Sequence, residues 1–107
     1  MRRKTIYIAG PMTGIKDDNF PAFFAAQGML EVSGHNAINP ARHAPVVICP
    51  VTGAAHQMSY EDFLNLDLEI IATACDAVAV LPGWGRSPGT RREVALALEL
   101  GLEVMEL

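Results

Sequence analysis

The sequence is short of the features that mark several large functional classes. No apolar run approaches the roughly 20 residues of a membrane span, and the amino-terminus has neither the apolar stretch nor the small-residue cleavage site of a secretory leader, so a cytoplasmic protein with no membrane partner is expected. Positive charge is also scarce. Eight Lys and Arg against twelve Asp and Glu leave a formal net charge of −4, and the one basic run, Arg2-Arg3-Lys4, sits at the very start. Without a basic stripe, a nucleic-acid polymer is not an expected partner. Cysteine is limited to Cys49 and Cys75, which form no CxxC pair and keep no zinc-like spacing with His35, His43 and His56. Reduced thiols, no metal and no redox cofactor follow as expectations. A GxGxxG dinucleotide motif, internal repeats and low-complexity segments are missing as well.

Half of the 107 residues are apolar, enough for one core in a single domain spanning residues 1–107. Thr5 to Gly10 reads TIYIAG, a β-branched and aromatic run closed by Gly-Pro, hence a buried strand followed by a loop, Pro11 to Asp18, that contains Gly14. Asn19 is placed to cap a helix with an early Pro21 and apolar Phe20, Phe23, Phe24 and Leu30, stopped by Gly34. A second strand covers Asn36 to Asn39. Ala41 to Gln57 reads as irregular, with Pro45, Pro50 and Gly53 breaking the run Val46 to Cys49, and such a loop is a candidate lid. A helix from Ser59 carries a stripe of Phe63, Leu66, Ile70, Ile71 and Ala74. The strand Ala77 to Leu81, a turn, a helix from about Arg91 to Leu100, a Gly101 stop and a last strand, Glu103 to Leu107, complete the chain.

Strands therefore alternate with helices. Right-handed crossovers then predict a three-layer, flavodoxin-like α/β fold: a parallel sheet of about four strands in order 2-1-3-4 with helices on both faces. In that order the winding reverses between the first and third strands, so the loops after them flank one crevice, where open sheets bind ligands.

Two carboxylates stand out. Asp67 shares a helix face with Phe63, Ile70 and Ala74, and a charge on a buried face must be paired, hydrogen-bonded or lining a polar cavity. Glu93 has two readings. Thr90-x-x-Glu93 has the form of a capping box, in which the glutamate only returns to the cap backbone. Its place beside the sheet edge, with a second carboxylate one helix earlier, suits glycosidic chemistry, where one carboxylate attacks or stabilises the sugar cation and the other assists the leaving group or holds the sugar.

Other candidates carry similar alternatives. Ser87, Gly89 and the free amides of the third helix form either an anion site or an ordinary turn. Arg91 and Arg92 suit a phosphate or a solvated surface. Trp84 stacks on a base or makes a subunit contact. Tyr7 is core or reaches a carboxylate; Asp76 is a turn residue. Asn39 bonds a ligand or fixes the end of its strand, and the three histidines read as solvated or structural. The third helix, Val94 to Leu100, is apolar nearly all round, which predicts a homo-oligomer.

Together, IYIAGPMTG, NFPAFFAAQGMLEVSGHNAINPA and DLEIIATACDAVAVLPGWGRSPGTRREVALALELGLEV resemble the nucleoside 2-deoxyribosyltransferase superfamily over nearly the whole chain. Within it the sequence is similar to a small phage and bacterial deoxyribosyltransferase-like group, DUF4406-like. The resemblance implies that Glu93, at the spacing Ser87-x-Gly89-x-x-x-Glu93, attacks the anomeric carbon of a nucleoside and displaces the base. It implies that Asp67, in Asp67-Leu68, contacts the sugar or aids the leaving base, and that Tyr7 orients the glutamate. Gly10, Pro11, Met12 and Gly14 match the loop that closes over the nucleoside, and Ser87 with Arg91 or Arg92 matches the turn that takes a 5′-phosphate. One departure stands out: no fifth strand follows the fourth, so the resemblance predicts a pocket completed by an oligomer or one short of a full transferase site. The expected function is cleavage or transfer at the N-glycosidic bond of a nucleoside, a 2′-deoxy one above all, or its 5′-monophosphate. The alternative is a non-catalytic nucleotide-binding or sequestering module.

Overall fold

A computed structural model of the chain describes residues 3–12, 14–42, 46–48, 55–57 and 60–107. In chain order the elements are β1 (Thr5–Ala9), α1 (Phe20–Val32), β2 (Asn36–Ile38), β3 (Val46–Ile48), β4 (Ala55–Gln57), α2 (Tyr60–Ala74), β5 (Ala77–Val80), α3 (Pro88–Glu99) and β6 (Glu103–Glu106). Four strands form one sheet in the order β2-β1-β5-β6, every pair parallel. Counted within that sheet the order is the expected 2-1-3-4. β3 and β4 stand apart as an antiparallel pair, with Val47 opposite His56. The irregular reading of that stretch overlooked it, because Pro45, Pro50 and Gly53 interrupt the apolar pattern of the sequence. The side chains of Cys49, His43, His56 and Phe63 lie outside the described residues, as does most of the candidate lid.

The two central strands are buried on both faces, as a parallel sheet covered by helices requires. Alternation then sorts their side chains. Ile6, Ile8, Ala77 and Ala79 pack against Phe23, Ala26 and Leu30 of α1, whereas Tyr7, Ala9, Val78 and Val80 pack with Ile71 of α2 and with Val94 and Ala97 of α3. Tyr7 is therefore committed by its position in β1 to the layer that carries Asp67 and Glu93. Among the described side chains of α2, Ile71 of the expected stripe is buried and Leu66 and Ile70 are partly buried, but Ala74 is exposed, and Leu64, outside the stripe, is buried as well. Asp67 falls on the same side, three residues after Leu64 and four before Ile71.

Asp76 clips the start of the sheet: its Oδ2 accepts from the Thr5 backbone amide at 2.9 Å, and its own amide donates to the Thr5 carbonyl at 2.8 Å. His35 is structural too, its Nδ1 accepting from the Lys4 amide at 3.1 Å. Burial pushes the half-buried Cys75 thiol up to about 11, with Asp76 adding to the effect, which disfavours the reactive thiolate. The association surface also changes. α3 turns Arg91, Arg92 and Glu99 outward along with Ala95 and Leu98, so it is not apolar all round, whereas α1 exposes Phe24, Met29 and Val32 with Glu31 as its one exposed charge.

Candidate active site

The carboxyl ends of β1 and β5 open into a cavity of about 1290 Å³. This exceeds the roughly 300–1000 Å³ of a typical small-molecule site and leaves room for a ligand of nucleotide size. Each wall comes from a different element. β1 supplies Tyr7 and the loop after it Gly10, Pro11 and Met12, while α2 supplies Leu64 and Asp67. From beyond β5 come Pro82, Gly83 and Arg86, then Ser87 to Thr90 and Glu93 of α3.

α3 begins earlier than the sequence suggests. Ser87 is extended (φ −98°, ψ 115°) and its hydroxyl accepts from the Thr90 amide at 3.3 Å, with Pro88 in the first helical position. The cap is thus Ser87 rather than Thr90, and Glu93 stands in the second turn, so the capping-box reading fails. Its carboxylate is bonded elsewhere: the Tyr7 hydroxyl donates to Glu93 Oε2 at 2.7 Å. Both partners are buried, Tyr7 at 0% and Glu93 at 6% exposure.

Burial governs the electrostatics. It pushes the Glu93 carboxyl up to about 8; the Tyr7 hydrogen bond pulls it down and the Asp67 carboxylate pushes it further up. Burial likewise holds the Tyr7 hydroxyl well above its ordinary range, reinforced by the charges of Glu93 and Asp67. A phenol kept protonated beside a carboxylate is a fixed hydrogen-bond donor. It orients one oxygen of Glu93 and stabilises the ionised form when that forms.

Gly10 is needed here for space. A Cβ on it would sit 2.8 Å from Leu81 Cβ and Cδ1, so the ends of β1 and β5 meet closely only because position 10 carries no side chain.

Of the residues singled out from the sequence, Tyr7, Asp67, Glu93, Gly10, Pro11, Met12, Ser87 and Gly89 are brought together around the cavity. Gly14, Asn39, Trp84 and Arg91 do not line it. Asn39 is buried and occupied with the chain itself: its Nδ2 donates to Gln27 Oε1 at 3.1 Å and its Oδ1 accepts from the Ala41 amide at 2.9 Å. It thereby fixes Pro40 and Ala41, which do face the cavity. Trp84 opens the 3₁₀ turn Trp84–Arg86 and is partly buried against the core cluster that contains Val80 and Val94. Arg91 is exposed on α3, and the cavity's arginine is Arg86. Arg86 escaped the sequence reading, although its place just before the Ser87 cap was the available signal. Ile15 and Asp18 of the first loop and Phe20 at the start of α1 also line the wall unforeseen. Among the described residues no three of His, Cys, Asp and Glu gather to hold a metal ion, and no helix is long and apolar enough to cross a membrane.

The family model described as a domain of unknown function, DUF4406, matches residues 4–106. Among solved structures, the CMP N-glycosidase BcmB of Clostridium botulinum shares the fold with a TM-score of 0.62, at 22% identity over 96% of this chain and 67% of that one. No curated protein matches the sequence.

Proposed function

The chain belongs to the DUF4406 family, and on that footing we propose that it acts at the N-glycosidic bond of a (deoxy)nucleoside or nucleoside 5′-monophosphate, with Glu93 as nucleophile. The observation that carries the reading is the buried Tyr7/Glu93 pair at the base of the cavity, with Asp67 beside it. A carboxylate removed from water and held by a directed donor suits attack on a carbon that becomes cationic, because an oxocarbenium-like transition state needs an anion close by. The fold's occurrence in a CMP N-glycosidase supports the same bond class.

In this reading Tyr7 holds Oε2 while Oε1 attacks C1′ of the sugar. The C1′–N bond breaks as the C1′–O bond forms, its electron pair leaves with the base, and Asp67 serves the departing base or the sugar hydroxyls. Water, or a second base, then attacks C1′ and releases Glu93. Arg86 and the free amides at the start of α3 suit the 5′-phosphate of a monophosphate. The protein works as a homo-oligomer in this proposal.

One observation favours a second reading, a non-catalytic nucleotide binder. A carboxyl pushed up to about 8 is largely protonated at neutral pH and is then no nucleophile. Base release from deoxynucleosides, ribonucleosides and their 5′-monophosphates, with and without a free acceptor base, separates the two. Glu93→Gln is expected to lower release on the order of 10³-fold or more while still binding ligand. Release unchanged in that variant sinks the nucleophile assignment; tight binding without product in the wild type favours the binder.

A further inference from the structure

The first loop contains the most strained backbone among the described residues. Asp17, Asp18 and Asn19 take φ values of 56°, 53° and 62°, three successive non-glycine residues in the left-handed region. Such residues adopt that region singly as a rule, and Asp and Asn are the types that tolerate it best. The conformation is fastened on both sides. The Asp18 amide donates to the Ile15 carbonyl at 3.0 Å, and the Asn19 Nδ2 donates to the Pro11 carbonyl at 2.9 Å. α1 gains no side-chain cap from this arrangement, because Asn19 stands at the cap position without bonding a helix amide. What the turn does achieve is to set Asp18 in the cavity wall beside Ile15 and Phe20, while its neighbour Asp17 stays outside. Asp18 is exposed at this wall, within reach of a ligand, and strain kept at a residue that lines a site points to a functional constraint.

Asp18 has no part in the Tyr7, Asp67 and Glu93 group, and it comes from the loop after β1 rather than from the loop that carries Arg86. A carboxylate only accepts hydrogen bonds. Next to the apolar Met12, Ile15 and Phe20, which suit a flat ring, it favours a base edge that donates and opposes one that presents carbonyl oxygens. We infer that Asp18 is the base-discriminating residue of this cavity, accepting from an amino-bearing nucleobase and disfavouring its oxo counterpart. The inference rests on the reading that the cavity takes a nucleoside or nucleotide. Cytosine against uracil and adenine against hypoxanthine are the matched pairs, each exchanging an exocyclic amino group for a carbonyl oxygen.

The test is titration calorimetry with CMP, UMP, AMP and IMP and their 2′-deoxy forms, in the Glu93→Gln background so that ligand is not consumed. The protein without further change is expected to prefer the amino member of at least one pair by roughly 10-fold or more. Asp18→Asn, whose amide both donates and accepts, is expected to bring the ratio within about threefold, while Asp17→Asn leaves it unchanged. Asparagine keeps the left-handed backbone available, so both variants are expected to fold, as thermal unfolding will check. A ratio untouched by Asp18→Asn, a preference for the oxo member, or no nucleotide binding overturns the inference. Base release by the wild type is scored separately. Release with an unaltered ratio defeats the Asp18 assignment alone, and an altered ratio without release defeats the glycosidic reading alone.

Discussion

At the scale of single residues the protein is organised around one hydrogen bond, from Tyr7 to Glu93 Oε2 at 2.7 Å. Hydrogen bonds to a charged group contribute about 1.5–3 kcal/mol, so Tyr7→Phe is expected to lower kcat/KM by roughly 10- to 150-fold. Because that bond holds the Glu93 carboxyl down, the variant's rising limb in the pH profile of kcat/KM moves to higher pH. In the wild type that limb is expected near pH 8, where Glu93 ionises. Stability has the opposite slope. The folded protein binds the Glu93 proton more tightly than the unfolded chain, about 8 against 4.5, so this contribution is full below pH 4.5 and is lost as pH rises through 8. Urea midpoints measured across this range should fall with pH in the wild type, and the fall should be shallower in Glu93→Gln, which has nothing to ionise there. Glu93 and Asp67 were legible in the sequence as isolated carboxylates near a sheet edge. The bond between Tyr7 and Glu93 was legible only as an option, because a tyrosine in a buried strand is compatible with plain core packing. Arg86 and Asp18 were not legible, since turn geometry decides which loop side chains face inward.

At the scale of elements, two short junctions fix the site. Ser87 sets where α3 begins and hence how far Glu93 lies from the helix end. Ser87→Ala is expected to cost about 1 kcal/mol of stability, seen as a lower urea midpoint. Gly10 lets the ends of β1 and β5 close on each other, and Gly10→Ala forces its Cβ onto Leu81. A loss of about 1–3 kcal/mol is expected, together with a weaker grip on ligand, because the same residue lines the cavity. The strands and helices could be read from apolar periodicity, but the onset of α3 could not. Thr90 and Glu93 fit a capping box as well as Ser87 and Pro88 fit a cap, and burial of Glu93 beside Tyr7 settles the choice.

At the scale of the whole molecule, the order of the sheet followed from alternating strands and helices and from the handedness of crossovers. The surface did not follow in the same way. Val32 at 90% and Met29 at 51% exposure make the outer side of α1 the apolar face of the described chain. Association through this face is expected, with light-scattering mass rising with concentration and Met29→Lys with Val32→Glu returning the monomer. The parity of β1 has a separate consequence. Its odd-numbered Tyr7 and Ala9 face α2 and α3 and its even-numbered Ile6 and Ile8 face α1. Deleting one residue between Lys4 and Tyr7 while keeping the strand's pairing would send the phenol into the α1 layer and an isoleucine towards Glu93. Insertions and deletions in this strand should therefore be far more damaging to activity than most substitutions, and a library scored for both kinds of change would show β1 as a segment whose length, more than its composition, is under constraint.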